Sequence, residues 1–359
     1  MRALFLNGGV AWDGAARIYT TVARALADRG HTTWLAAPAG SEAATQAVAR
    51  GVSIIALPER RGARADAKRL RQDLSREFVD VIFVHSDAEH VAATLAVRAA
   101  GRGGIVRRIA AGERLALTWR SRRAERQVPT RYLYTSESPP TGHAAPSGTL
   151  SPMRAELGVE SGGATSALAT GDAEPATVLV CIATRASLRR ATHVVRAAAL
   201  LAQRHKGLRL RVVGSVADDE ELKLLAAALG IARRVEWVGH PRDMSAALAG
   251  AAAGWVVADG DDAALGALDL MAHGVAVLAE RTSVAGRYVS HGIQGTLMAT
   301  LDPPLMAAET AVLLADRDRR VAMGAAGRAR VEREFPFRDM LAAFEHAARS
   351  AQKRAGDRS

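Results

Sequence analysis

Short apolar runs alternate with amphipathic helical stretches along most of the 359 residues, the pattern of strands and helices wound around parallel sheets. Residues 3–6 read as a buried strand that ends in Asn7-Gly8-Gly9. A helix is predicted from about Ala15 to Arg29, with Ile18, Val22 and Leu26 on one face and Gly30 beyond its end. Strands are expected over residues 32–36 and 52–56, with a helix over 43–50 between them; the helix around 68–76 is mostly charged and expected to face solvent. Residues 79–84 form a strand with the unbroken apolar run Val81-Ile82-Phe83-Val84, as expected when both sheet faces are covered. His85-Ser86-Asp87 stands at its carboxyl end. Runs at 105–109 and 132–135 bring the first half to roughly six strands.

From 139 to 175 the composition turns to Pro, Gly, Ser, Thr and Ala, which reads as a connection between domains with one short helix near 153–157. The alternation then restarts. Strands are predicted over 178–182, 208–213, 235–238, 255–257 and 275–278, with helices near 190–204, 219–229, 244–249 and 263–273. From Leu301 onward the chain reads as helical apart from a break at Phe335-Pro336. No sequence repeat aligns the halves, so a solenoid is excluded. The expected organisation is an α/β chain of two doubly wound parallel-sheet domains, residues 1–170 and 176–335. The closing helix, 336–359, is expected to return to the first domain.

Composition narrows the class. Apolar residues make up 49%, enough for a core in each half and too many for a disordered chain. The single cysteine, Cys181, excludes an internal disulfide and a multi-cysteine metal site, and fits a reducing, cytoplasmic setting. The first apolar run is too short for a signal peptide, and no stretch reaches the ~20 apolar residues of a membrane span. A soluble protein is expected, resting on a membrane at most. The formal charge of +11 suits polyanionic partners, although an Arg- and Ala-heavy composition accounts for it equally. Arg114, Leu115, Trp119, Arg120, Arg122, Arg123 and Arg126 form a basic amphipathic segment that reads as peripheral contact with an anionic membrane or as a solvated helix. No recognised motif or aromatic platform accompanies the basic residues, so no nucleic-acid partner is expected.

Ligands of open α/β sheets bind beyond the carboxyl ends of the strands, and four groups of residues fall there. The loop Asn7-Gly8-Gly9-Val10-Ala11-Trp12-Asp13-Gly14 brings backbone and a helix start close to a ligand, or is simply a tight turn; it lacks the dinucleotide fingerprint G-x-G-x-x-G. His85 either touches a ligand near neutral pKa or packs at the sheet edge. Arg185, Arg189 and Arg190 lie on a turn entering a helix, where forked donors suit a diphosphate; a solvated basic turn is the alternative. Asp259, Asp261, Asp262 and Asp269 follow a later strand. Asp261 and Asp269 project about 80° apart on one side of a helix, placed to accept hydrogen bonds from sugar or ribose hydroxyls. Helix capping explains Asp261 and Asp262 but not Asp269.

Taken in order, these segments resemble the family 4 retaining glycosyltransferases over nearly the whole chain. Asp13-Gly14-Ala15-Ala16-Arg17 is similar to the family's Gly-Gly-x-Glu-Arg helix start, and Ala23-Arg24-Ala25-Leu26-Ala27-Asp28-Arg29-Gly30-His31 to the end of that helix. Asp80 to His85 resembles the strand ending in a histidine near the reacting sugar, and Val235-Glu236-Trp237-Val238-Gly239 the Val-x-Phe-x-Gly strand. Arg185 and Arg190 fall where the family binds the donor diphosphate with Gly-Arg and Lys-Gly. Asp269-Leu270-Met271-Ala272-His273-Gly274 resembles Glu-Ala-Met-Ala-x-Gly, which puts Asp261 and Asp269 on the two acids of Glu-x7-Glu. Arg317 to Arg330 resembles the near-terminal helix.

The resemblance implies a GT-B fold, two Rossmann-like domains facing across a cleft, and metal-independent, retaining transfer from a UDP- or GDP-sugar to a hydroxyl acceptor of unspecified identity, without cofactor. It implies catalytic roles for His85, Arg185, Arg190 and Asp261, and donor binding by Gly9, Gly14, Gly239, Asp262 and Asp269. The chain departs from the pattern at several points. Both motif glutamates are aspartates, Gly-Phe-Gly becomes Asp262-Ala263-Ala264, the later proline is Ala276, and Arg287 stands where an acid is usual. A catalytically impaired relative serving as a binding or scaffold subunit is therefore the alternative.

Overall fold

A computed structural model describes residues 1–58, 63–77, 79–113, 115, 117–135, 150–160 and 177–356. The chain divides into two compact units, Met1–Leu157 with Arg338–Ser359, and Gly158–Phe337. Each unit is a parallel sheet with helices packed on it, the Rossmann-like organisation expected from sequence.

In unit 1 the strands are β1 (Arg2–Leu6), β2 (Thr32–Pro38), β3 (Ile54–Leu57), β4 (Val81–Val84), β5 (Gly104–Ile109), β6 (Thr130–Tyr134) and β7 (Leu150–Arg154). They lie in the order β3-β2-β1-β4-β5-β6-β7. The helices between them are α1 (Gly14–Asp28), α2 (Glu42–Ala49), α3 (Ala63–Glu77), α4 (Asp87–Ala100) and α5 (Trp119–Gln127). Alternate residues of β1 and β4 feed the two faces. Leu4, Leu6, Ile82 and Val84 pack with Ala92, Ala93 and Ala96 of α4. Phe5 and Phe83 stack on the other face at 4.6 Å, with Tyr19 of α1 tilted against Phe5 at 5.3 Å. Where the charged helix α3 was expected to lie in solvent, it buries Leu70 and Ala67.

Unit 2 carries β8 (Val178–Ile182), β9 (Arg209–Val213), β10 (Val235–Gly239), β11 (Ala251–Val256), β12 (Ala276–Glu280) and β13 (Gly295–Met298) in the order β10-β9-β8-β11-β12-β13. Its helices are α6 (Leu188–Arg204), α7 (Glu220–Ala228), α8 (Met244–Leu248), α9 (Gly260–Ala272), α10 (Val284–Tyr288), α11 (Pro303–Ala315) and α12 (Arg317–Glu334). Trp255 is fully buried at the centre of this core. Helix α9 is buried on nearly every side from Asp261 to Ala272, which its Ala, Leu, Gly and Met content permits.

Two strands were not expected from sequence. The short helix expected near 153–157 is replaced by the edge strand β7. There Pro152, which has no N–H to donate, sits at a register irregularity opposite β6, the kind of edge position that tolerates proline. Strand β13 was not anticipated, because Gly295-Thr296-Leu297-Met298 has too short an apolar run to stand out. Most of the connection expected at 139–175 lies outside the described residues, as does Arg114.

After the break at Pro336 the last helix, α13 (Phe337–Gly356), packs on unit 1. It buries Met340, Leu341, Phe344, Ala347, Ala348 and Ala351, with Phe344 5.5 Å from Phe83. Glu345 receives Arg29 at 3.1 Å and His31 at 3.2 Å. The helix approaches so closely that a Cβ on Gly104 would stand 2.8 Å from the Ala351 carbonyl. Replacing Gly104 with Ala is thus expected to push α13 off β5 at a cost of about 1–3 kcal/mol. Thermal unfolding of the full chain would register this as a Tm several degrees lower, with earlier proteolysis of the last helix. An unchanged Tm would show that this contact does not hold α13.

Candidate functional site

Each sheet reverses its winding beside its first strand, between β1 and β4 in unit 1 and between β8 and β11 in unit 2. Loops leaving the carboxyl ends there diverge and open a crevice. In unit 1 these loops are Asn7-Gly8-Gly9 after β1 and His85-Ser86 after β4. Asp13 caps α1 by accepting from Ala16 N at 2.9 Å, with Gly14 buried as the first helical residue. Gly9 N donates to Asn7 Oδ1 at 3.1 Å. Ser86 and Glu89 form a capping box at the start of α4. The buried Glu89 carboxylate also reaches across the crevice. Its Oε1 accepts from Gly8 N at 2.6 Å, and its Oε2 accepts from His85 N at 2.9 Å and Ser86 N at 3.1 Å. The same Oε2 stands 3.0 Å from His85 Nδ1.

Charge follows from this geometry. Burial raises the Glu89 carboxyl, but the facing His85 charge and the three backbone donors outweigh it and hold its pKa at about 2. For His85 burial and Arg108 act downward, while the Glu89 carboxylate 3.0 Å away, helped by Asp13, wins and leaves it raised above 6.5. The Tyr19 ring meets the imidazole edge-on at 5.7 Å, and the fully buried Arg108 of β5 lies over Tyr19 at 5.6 Å. On the opposite face of β5, buried Arg107 pairs with Asp87 at 2.6 Å. Next to it His90, fully buried with Nε2 2.9 Å from Thr130 Oγ1, is pushed down to about 3, first by burial and then by the Arg107 charge.

In unit 2 the loop after β8 begins with a capping box between Thr184 and Ser187 and a single 3₁₀ turn, Arg185–Ser187, before α6. Arg185 N donates to Ser215 Oγ at 2.9 Å, while its exposed guanidinium makes no hydrogen bond or ion pair among the described residues. Arg190 spans the crevice. Its Nε donates to the Val257 carbonyl at 2.8 Å, and its Nη2 pairs with Asp259 at the start of α9. Asp259 makes no capping bond of its own to α9. Asp261 and Asp269 are both buried in α9, Asp262 is half-buried, and His273 bridges the Asp269 carbonyl (2.7 Å) and Ser245 Oγ (3.0 Å). Gly239, at the end of β10 with φ +67°, accepts from Gly214 N at 2.7 Å.

The expected residues therefore fall into two groups. Gly9, Gly14 and His85 gather at the crevice of unit 1. In unit 2 Arg190 stands at the β8/β11 crevice against Asp259, while Asp261, Asp262 and Asp269 are spread along α9, Asp269 about 12 Å further from its start than Asp261, with Arg185 on the preceding loop and Gly239 further along the sheet beyond β9. Glu89 was not singled out from sequence, although Ser86-Ser/Thr-type capping followed by Glu89 three residues on is a readable signature. Its reach to Gly8 is not readable from sequence. Nor is the pairing of Arg190 with Asp259, 69 residues apart. Among the described residues no group of three or more His, Cys, Asp or Glu side chains is placed to hold a metal ion, and no helix is long and apolar enough to cross a membrane.

Comparison with known proteins gives a consistent picture. Residues 12–126 match the family described as Glycosyltransferase Family 4, and residues 170–330 match Glycosyl transferases group 1. No curated protein sequence matches the chain. Among solved structures, Anabaena Alr3699/HepE in complex with UDP-glucose is similar at 16% identity and a TM-score of 0.74, covering 98% of this chain and 100% of that one. A glycosyltransferase from Rickettsia africae is similar at 14% identity and TM-score 0.73, covering 98% of both chains. Sucrose-phosphate synthase from Thermosynechococcus elongatus gives 14% and 0.67, again over 98% of both. At such identities the likeness shows the fold.

The charges of unit 1 set a pH dependence. Native His90 stays neutral down to about 3, whereas the unfolded residue takes up a proton near 6.5. Stability is thus complete above 6.5 and falls as the pH drops through that window, by about 3 kcal/mol at pH 4.5. The raised His85 acts in the opposite sense, but its gain is complete once the pH has fallen to 6.5. The depressed Glu89 contributes a loss only below its unfolded value of 4.5. Urea midpoints measured between pH 6.5 and 4.5 should fall for the native chain and stay nearly level for His90→Gln. A flat native profile would contradict a neutral, buried His90.

Proposed function

We propose that this chain, a two-domain member of the GT-B glycosyltransferases, moves a sugar with retention from a nucleotide-diphosphate sugar to a hydroxyl acceptor. The observation that carries this reading is Arg190 at the β8/β11 crevice, its stem fixed by the Val257 carbonyl near the start of α9, the helix that carries the buried Asp261 and Asp269. In this reading a diphosphate lies against the guanidiniums of Arg190 and Arg185, whose forked donors match phosphate oxygens. As the glycosidic bond breaks, negative charge grows on the departing diphosphate, and preorganised guanidiniums stabilise it. That role needs no metal ion. Asp261 orients the sugar and Asp269 holds the ribose. Asp262 and the backbone at Gly239, Gly9 and Gly14 line the donor, and His85 stands beside the reacting carbon. The UDP-glucose bound by the Anabaena protein makes UDP-sugars the first donors to test, with GDP-sugars second.

One observation favours the second reading, a binding or scaffold subunit without turnover: Asp259 already holds the guanidinium that the transferase reading assigns to the diphosphate. Calorimetry and donor-hydrolysis assays with UDP- and GDP-sugars separate the two. Transferase action predicts binding with turnover, and a fall of about two orders of magnitude or more in Arg190→Ala. Binding without turnover supports the scaffold, and native-like turnover in the variant removes Arg190 from the mechanism.

We also propose that the protein works in the cytoplasm at the inner face of an anionic membrane. Helix α5 exposes Trp119 (68%), with Arg120 over its ring at 5.3 Å, and Arg122, Arg123 and Arg126 are exposed on the same helix. An exposed aromatic among cations suits the headgroup region. In flotation assays the chain is expected to rise with phosphatidylglycerol vesicles at low salt, less so at high salt or as Trp119→Ala. Absence from such vesicles at low salt would end the proposal.

A further inference from the structure

Glu89 does more than cap a helix. A capping-box glutamate needs only the N–H groups of its own helix start. This one also binds Gly8 N, 81 residues away on the other side of the crevice, and faces His85 Nδ1. One buried carboxylate thus ties together the two loops on which the candidate reaction centre of unit 1 is built. We infer that Glu89 is a positioning residue for His85: it holds the imidazole by the 3.0 Å charge contact between Oε2 and Nδ1, so that Nε2 is the nitrogen left to meet a ligand.

Three features support this. First, the carboxylate stands 3.0 Å from the ring nitrogen; the other groups facing the ring are Arg108 from β5, Asp13 from the start of α1, and the Tyr19 ring. Second, the side chain has no freedom to leave. Both oxygens are engaged by backbone donors from two loops, and Gly8 lies so close that a Cβ there would stand 3.3 Å from Oε1. Third, the facing His85 charge first, and then the backbone donors of His85 and Gly8, keep the carboxylate ionised, so carboxylate and imidazole hold each other. A histidine held this way is preorganised in ring plane and tautomer before any substrate arrives, the requirement for precise placement at a reacting centre.

The inference rests on the transferase reading for what His85 does, but its test does not. In the full-length chain, the His85 ring resonance, assigned by its loss in His85→Gln, is titrated by NMR in the native protein, in Glu89→Gln and in Ser86→Ala. Native His85 should titrate above 6.5. In Glu89→Gln, where burial and Arg108 remain without the opposing charge, the midpoint should fall below 6.5. Ser86→Ala removes the other half of the capping box and should keep the midpoint above 6.5. If Glu89 only caps α4, the two variants will weaken the fold alike and neither will move the midpoint, which overturns the proposal. A native midpoint below 6.5 overturns it without recourse to any variant. Where donor turnover is measurable, Glu89→Gln should lower kcat about tenfold or more and move the pH profile with the His85 midpoint, with donor affinity at unit 2 unchanged. Native-like turnover and pH profile in Glu89→Gln would reject the positioning role and leave the transferase reading standing.

Discussion

Where a parallel sheet reverses its winding, the loops from two neighbouring strands part, and the backbone groups at their ends lose the partners a continuing sheet would give them. Those groups must be satisfied from elsewhere, because buried unpaired N–H and C=O groups are costly. The two units meet this constraint with opposite charges. In unit 1 a carboxylate, Glu89, accepts from the N–H groups of Gly8, His85 and Ser86. In unit 2 a guanidinium, that of Arg190, donates to the Val257 carbonyl and to Asp259. The consequence is functional as well as structural. A Gly-rich loop after the first strand usually reads as an anion cradle, but here a donor of that loop is already taken by an internal anion. The crevice of unit 2, by contrast, presents cations.

Much of the fold was legible because a strand covered on both faces has to be continuously apolar. Val81-Ile82-Phe83-Val84 and the residues of β8 announce themselves on that ground. Strand β7 was not legible, since its proline and polar residues are acceptable only at a sheet edge, and being an edge is a property of topology. Strand β13 is four residues long and leans on a close approach at Gly295, where a Cβ would fall 2.0 Å from the Val277 carbonyl; the sequence contains no trace of that contact. The same division holds at the site. His85, Arg190 and Asp261 stand out near strand ends, and Asp269 further along the helix of Asp261, as candidate chemistry. Glu89 owes its importance to Gly8, and Arg190 its orientation to Asp259, and both pairings exist only once the sheet order is known.

The substitution of aspartate for both motif glutamates bears on activity through packing. Removing one methylene draws a carboxylate back by roughly 1.5 Å. A mobile helix could recover that distance by shifting. Helix α9 has no such freedom. A Cβ on Gly266 would meet Ile182 at 3.0 Å, and one on Gly254 would meet Leu270 at 2.5 Å, so helix and strands already touch across the smallest residues available. Close-packed interiors transmit such constraints instead of absorbing them. Asp261 and Asp269 stay where the core holds them, and under the proposed function a donor has to come to them or be read through fewer direct contacts.

Asp259 appears at first to argue against donor binding, because it occupies Arg190. Its setting argues otherwise. The carboxylate is 63% exposed and sits beyond the start of α9, so it can turn to water at little cost, whereas Arg190 is anchored by the Val257 carbonyl whether or not Asp259 is in place. Exposed ion pairs of this kind contribute little net free energy. A diphosphate brings more charge than one carboxylate and can be met bidentately, so it competes on favourable terms for the same guanidinium. In the transferase reading, Asp259 holds Arg190 extended across the crevice until an anion of higher charge displaces it. That places the burden of any catalytic impairment on the shortened acids of α9, not on the cation.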